Sequence, residues 1–262
     1  MASLFRIADR KILLLFGACL WCFGVSAGVS QNAESAQRVP VLVELFTSEG
    51  CSDCPPADAL LAELDAKQPV AGADAIVLSE HVTYWNHLGW RDPFSLDVAT
   101  QRQEEYVRRF GLESAYTPQA VVDGASQLVG SDGRGMLAAV SKAAAKPKMR
   151  LTIENARWDQ GTVRFAVRTE NAKGARLVAV LAANATHSEV ARGENAGRTL
   201  HHTAVVRVMK EMDGGVADGR PLSIGVSGES PDGEMRLVVF ATEGRTGRVI
   251  GAAEQGVQED AF

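Results

Sequence analysis

Val41-Leu42-Val43-Glu44-Leu45-Phe46-Thr47-Ser48-Glu49-Gly50-Cys51-Ser52-Asp53-Cys54-Pro55-Pro56-Ala57-Asp58 is the stretch on which the reading of this chain turns. Val41 to Phe46 is almost continuously apolar and rich in branched side chains, which predicts a strand buried on both faces. A loop from Thr47 to Gly50 leads to the cysteines. Beyond them Ala57, Leu60, Leu61 and Leu64 recur at helical spacing and predict a helix over about Asp53–Lys67. Pro55 and Pro56 fall in its first turn, where a missing backbone N–H costs little. The cysteines therefore stand where a strand hands over to a helix. The partial positive charge of a helix N-terminus stabilises a thiolate, and a cysteine three residues on faces the first across one turn. Cys51 is the candidate nucleophile and Cys54 the resolving thiol. Metal ligands and permanent disulfides use the same spacing.

Working outward, Ala75-Ile76-Val77-Leu78-Ser79 predicts a second buried strand, and His81 to Phe94 is aromatic-rich and irregular. Ser95 is placed to cap a helix over Leu96–Phe110, with Leu96, Ala99, Tyr106 and Phe110 on one face and Gly111 ending it. Gln119–Val122 and Ser126–Val129 flank Asp123-Gly124, a hairpin signal. Ser131 is placed to cap a third helix that ends before Pro147. The order β-α-β-α-β-β-α over residues 40–146 predicts three parallel strands joined by helical crossovers, with the fourth antiparallel to the third. After Pro147 the texture changes to alternating runs, among them Thr162–Val167, Leu177–Leu181, Ala204–Val208 and Leu237–Phe240. The expectation is two domains: an α/β domain over 40–147 and an all-β, sandwich-like domain over 148–262.

Composition narrows the classes. Of 262 residues 46% are hydrophobic and 23% charged, enough for a sizeable core and against disorder. Net charge is −5, which gives no support for nucleic-acid binding. Four cysteines exclude a disulfide-stapled scaffold. Two of them, Cys19 and Cys22, lie in an apolar N-terminal run. Arg6, Arg10 and Lys11 precede that run, and Val25-Ser26-Ala27 supplies small residues at its end. This predicts a signal peptide over 1–27, a flexible linker over 28–39 and a single Cys-x-x-Cys pair, Cys51 and Cys54, as the mature chain's cysteines. An uncleaved anchor is the alternative. With cleavage the protein is periplasmic or secreted, has no stable membrane insertion, and meets an oxidising compartment.

Tyr116-Thr117-Pro118-Gln119-Ala120-Val121-Val122-Asp123-Gly124, taken with the cysteine pair and the β-α-β frame, resembles the thioredoxin-like superfamily. That resemblance implies a cis peptide bond before Pro118, facing the cysteines and exposing the Thr117 backbone for strand-like pairing with a substrate peptide. It also implies that Glu44 corresponds to a buried acid that assists proton transfer at the second cysteine. Val43 to Asp58, His81-Val82-Thr83-Tyr84-Trp85, Leu88-Gly89-Trp90, Tyr116-Thr117-Pro118-Gln119 and Gly193-Glu194-Asn195-Ala196-Gly197-Arg198 are similar to the secreted family named domain of unknown function 1223. Glu49 stands where that family often carries Gln, and Thr83 and Asn86 where it often carries Asp. The family implies a fold and no reaction.

His81, Tyr84 and Trp85 follow the second strand and are expected to line the edge of the sheet that carries the cysteines. His81 either lowers the thiolate pKa or is a structural hydrogen-bonding residue. His201-His202 lie next to each other on a strand and point to opposite faces, so they do not share a metal. Gly193 to Arg198 is either a ligand or partner surface or a plain turn. The resulting expectation is thiol–disulfide exchange with exported protein thiols or a redox partner protein, with no cofactor. The site residues are Cys51, Cys54, Pro118, Thr117 and Glu44. The alternatives are a non-enzymatic binding module with a permanent disulfide, and copper binding or delivery through Cys51, Cys54 and His81.

Overall fold

The computed structural model describes residues 38–169, 174–213, 217–225, 233–244 and 246–259. The signal peptide expected over 1–27, Cys19, Cys22 and most of the linker lie outside them. The first segment runs β1 (Val39–Thr47), α1 (Pro55–Lys67), β2 (Ala73–His81), α2 (Asp97–Phe110), β3 (Gln119–Val122), β4 (Ser126–Val129) and α3 (Gly133–Ala144). That is the element order expected from the hydrophobic pattern.

The caps differ from those expected. Cys54 itself is the N-cap of α1. Leu96 precedes α2, while Ser95 Oγ donates to the Asp92 carbonyl at 2.8 Å and so braces the preceding loop instead. Asp132, not Ser131, caps α3 by accepting from the Gly135 N–H. Gly111 ends α2 in the left-handed region, as expected.

One strand direction needs correcting. β1 and β2 are parallel, but β3 is antiparallel to β1, with Val43 opposite Val122 and Phe46 opposite Gln119. A parallel crossover must return the chain to the edge where its first strand began. Here the segment after α2 re-enters beside Phe46, near the end of β1, so β3 runs back. β4 pairs antiparallel with β3, as expected.

Strand parity then divides the face contacts. Val41, Val43 and Leu45 pack with Leu61 and Leu64 of α1 and Met136 and Val140 of α3. Leu42, Glu44 and Phe46 point the other way, and Phe46 meets Tyr106 of α2.

Beyond α3 the regular elements among the described residues are strands: β5 (Leu151–Asp159), β6 (Thr162–Thr169), β7 (Ala175–Glu189), β8 (Thr199–Asp213), β9 (Asp218–Gly225), β10 (Met235–Glu243), β11 (Val249–Gly256) and β12 (Gln258–Glu259). β12, β5, β6 and β9 form a small sheet. A core of Val163, Phe165, Leu177, Leu181, Leu237 and Val239 joins it to β7 and β10. β7 and β8 are each 15 residues long, well beyond the apolar runs within them.

The large sheet has eight strands in the order β11-β10-β7-β8-β2-β1-β3-β4. It continues across the boundary expected near Pro147, with β8 meeting β2 in parallel at Ser79 and Val205. Leu42, Ile76 and Leu78 share one core with Val178, Val206, Val238 and Phe240. Arg236 on β10 grips Asp65 on α1 through Nη1 and Nη2, at 2.8 and 3.0 Å. Residues 36–262 form one compact unit. Among the described residues no helix is long and apolar enough to cross a membrane.

Candidate active site

Cys51 and Cys54 are joined by a disulfide, with Cα atoms 5.4 Å apart. The Cys54 carbonyl accepts from the Ala57 and Asp58 N–H groups at 2.8 and 3.1 Å, so α1 begins on the second cysteine. The Thr117–Pro118 peptide is cis. Trp85 ties this element to the cysteine loop. Its indole N–H donates to Thr117 Oγ1 at 2.8 Å, and a side chain at Gly50 would place a Cβ 3.1 Å from its own Cβ. Glycine at position 50 therefore lets the tryptophan lie against the loop. Cys51, Cys54, Thr117, Pro118 and Trp85 are linked through these contacts.

The disulfide is covered. Cys51 is 1% exposed and Cys54 0%. The loop between β7 and β8 docks on the cysteine loop, and its neck is closed by Val190 N–H to the Arg198 carbonyl at 3.0 Å and Gly197 N–H to the Val190 carbonyl at 2.8 Å. Asn195, buried in that loop, donates its amide to the carbonyls of Glu49 and Cys51, both at 2.9 Å. Its own oxygen accepts from Arg198. The Ser52 N–H donates to Glu194 Oε2 at 3.1 Å, and hydrogen bonds from Ser52 hold the Glu194 carboxyl below the usual range. Gly193, at φ +80°, lies close to Trp90 in a backbone conformation that suits glycine.

Beneath the cysteine loop lies a buried polar network. Glu49 is fully buried and accepts from Trp90 Nε1 at 2.7 Å and from Ser188 Oγ. His202, the inward member of the His201–His202 pair, bridges two carboxylates. Its Nε2 is 3.3 Å from Glu49 Oε1 and its Nδ1 is 3.7 Å from Asp58 Oδ2. His81 Nδ1 is 2.7 Å from Asp92 Oδ2, and its ring stands edge-on to His202 with centroids 4.6 Å apart.

Burial alone would raise the Asp92 carboxyl. The His81 charge and hydrogen bonds from His81, Glu49 and Phe94 hold it below its ordinary value instead. Burial pushes Asp58 up to about 6, against the opposing pull of His202. Asp58 Oδ1, His202 Nδ1, His81 Nε2 and Thr47 Oγ1 are buried with no hydrogen-bond partner.

One expected site residue lies elsewhere, and Tyr84 sits at the margin, packed beside Trp85. Glu44 is on the sheet face that carries α2, where Arg102 Nε and the Tyr106 hydroxyl donate to it. None of its hydrogen bonds reaches the cysteine loop. Glu80 lies 3.9 Å from the same arginine and is raised well above its ordinary value, by burial first and by Glu44 second. Tyr84 packs with Phe46, Val82 and Tyr106, and burial pushes its phenol up to about 12.

His81 meets the cysteines only through its neighbours in the network. Among the described residues no group of three or more His, Cys, Asp and Glu is arranged to hold a metal ion. Glu49, Asp58, Asp92, Ser188, Asn195 and His202 were not among the residues expected at the site. Asp58 carried a signal, because it follows Cys54 by one helical turn. Glu49 and Asn195 lie in segments that the family resemblance marked, but nothing local points to their partners, since Asn195, Ser188 and His202 are remote in sequence from Glu49 and Cys51.

The family model described as protein of unknown function (DUF1223) matches residues 42–242. No curated protein matches the sequence. Among solved structures, the X-ray crystal structure of protein AGR_C_4864 from Agrobacterium tumefaciens is similar. It is 24% identical, covers 86% of this chain and 97% of its own, and has a TM-score of 0.60. At that identity the likeness concerns the fold.

Proposed function

The chain belongs to the DUF1223 family of proteins of unknown function, and we propose that this member is an exported, thioredoxin-like thiol–disulfide exchange protein of the periplasm or secreted medium. The observation that carries the reading is the closed Cys51–Cys54 pair at the start of α1, tied through Trp85 to the cis Thr117–Pro118 element. In the reducing direction a partner thiolate attacks Cys51 Sγ. The Cys51–Cys54 bond breaks, Cys54 leaves as a thiolate, and a mixed disulfide joins Cys51 to the partner. A second partner thiolate then releases Cys51, so two electrons pass from the partner dithiol to the pair. Thr117 and Pro118 hold the partner chain extended, and the partners are exported protein thiols or a redox partner protein.

The test is exchange with a model disulfide or dithiol, together with the reduction potential of the pair. Wild type is expected to exchange faster than free thiols do, and Cys51→Ser is expected to abolish this. Wild type no faster than free thiols overturns the reading.

A second reading has a specific observation in its favour. The disulfide is almost fully buried and the Asn195 loop is bonded to the Cys51 carbonyl, as in a permanent cross-link of a binding module. A pair that resists reduction at glutathione-like potentials selects this reading. Ready reduction at those potentials selects exchange, with the loop moving to admit the partner.

A further inference from the structure

His201 has a counterpart that the order of the chain hides. It stands directly opposite His187 in the β7–β8 pairing, with ring centroids 6.0 Å apart and the rings tilted by 30°. Both residues are exposed. Among the described residues neither imidazole has a hydrogen bond or an ion pair. Directly opposite residues on antiparallel strands hold their Cβ atoms about 5 Å apart. Two imidazoles anchored that way reach one metal ion, at about 2 Å from each nitrogen, with small side-chain rotations.

The surroundings suit a cation. Side chains alternate across a strand, so Ala185, Glu189, Thr199 and Thr203 share the outer face of the ribbon with the pair. Glu189 stands opposite Thr199 at the next position on that face, and its carboxylate accepts from Thr199 Oγ1 at 2.7 Å. Of those four neighbours Glu189 alone is charged, and its charge is negative.

The inner face of the same ribbon is committed to the cysteine loop. Ser188, next to His187, donates to Glu49 Oε1, and His202, next to His201, has Nε2 3.3 Å from the same oxygen. Beyond Glu189 and Thr199 comes the neck, where Val190 and Arg198 bond, and then Asn195 on the Cys51 carbonyl. The histidines thus face each other just short of the neck of the loop that docks on the cysteine turn.

We propose that His187 and His201 form a two-imidazole site for a late first-row divalent cation, zinc(II) or copper(II), which pins β7 to β8 and braces that loop. Imidazole is a favoured nitrogen ligand of both ions. Water or an outside ligand takes the remaining positions, since among the described residues no third strong donor joins the pair. Magnesium and calcium, which prefer oxygen ligands, are not expected to bind there. The site uses neither sulfur, so it stands whether the disulfide exchanges or is permanent.

The experiment titrates zinc chloride into the full-length protein, disulfide intact, by calorimetry near neutral pH. Wild type is expected to bind zinc at the pair. His187→Ala and His201→Ala should each weaken binding at least ~10-fold, because each removes one of two protein ligands. His87→Ala, which removes an exposed histidine elsewhere, should leave the affinity unchanged. Substitutions at exposed positions such as these leave the fold intact, so a loss of binding reports the ligands. Bracing is read separately by hydrogen exchange of the neck amides, Val190 and Gly197. At free zinc about ten times the dissociation constant, their exchange should slow by about tenfold in wild type and not in His187→Ala. A wild type that takes up no zinc overturns the site, as does binding that both ligand variants leave unchanged. Zinc binding lost in both variants, with wild-type neck exchange unaltered by zinc, overturns the bracing.

Discussion

The side-chain amide of Asn195 donates at 2.9 Å to the backbone carbonyl of Cys51, 144 residues earlier in the chain. The same amide reaches the Glu49 carbonyl. One residue of the β7–β8 loop thereby fixes both ends of the turn that leads into the disulfide.

Asn195→Ala removes both bonds and leaves the Glu49 carbonyl without its amide partner, at roughly 1–3 kcal/mol for such a group, while the Cys51 carbonyl keeps the Cys54 N–H at 3.3 Å. The loop is expected to open more readily, so reduction of the disulfide by a small dithiol should accelerate by about tenfold, with a matching loss in urea stability. Stopped-flow reduction and urea unfolding measure the two effects. An unchanged reduction rate would show that Asn195 does not control access.

Arg102 neutralises Glu44 and faces Glu80, and both carboxyl groups are fully buried. Arg102→Met strands them, and a loss of about 3–5 kcal/mol in urea unfolding at pH 7 is expected. Arg102→Met combined with Glu44→Gln should recover a large part of that loss. If the single variant costs less than ~1 kcal/mol, the cluster is not the stabilising unit described here.

Burial sets the pH dependence of Asp58, whose carboxyl rises from 3.8 to about 6 on folding. The folded state therefore binds the proton more tightly than the unfolded state does. Its contribution to stability is fully present below pH 3.8 and is lost as pH rises through about 6. Asp58→Asn carries no such dependence. Relative to wild type, the variant should gain about 2 kcal/mol between pH 4 and pH 7. Asp92, held below its ordinary value, acts in the opposite sense. Urea unfolding of the two proteins at several pH values measures this, and a flat difference contradicts the assignment.

A fragment of residues 38–147 loses β8 from the edge of β2 and takes Leu42, Ile76 and Leu78 away from Val178, Val206, Val238 and Phe240. It also loses the Arg236 grip on Asp65. The fragment is expected to lack a cooperative unfolding transition and to bind hydrophobic dye. A sharp transition near that of the full chain would show that the segment folds alone.

Periodicity along the chain was enough to place the elements of residues 39–144 and to put the cysteines at a helix start, because each of those features depends on side chains within a few positions of one another. The helix caps were less legible: Ser95 and Ser131 are good capping residues by type, but Ser95 bonds the Asp92 carbonyl and Asp132 is the residue whose carboxyl reaches the α3 amides. The direction of β3 was missed because a strand's direction is set by where the chain re-enters the sheet. Glu44 was assigned to the cysteines by likeness, while the parity of β1 turns it toward Arg102 and Tyr106.

Local order thus settled a strand, a loop and a helix with two cysteines at their junction, since hydrophobic period, proline position and cysteine spacing are properties of neighbouring residues. Folding alone decided that β8 joins β2, that Asn195 closes over Cys51, and that His202 stands between Glu49 and Asp58. Those contacts join residues more than a hundred positions apart. Burial and strand pairing select them, and no short-range pattern in the chain encodes either.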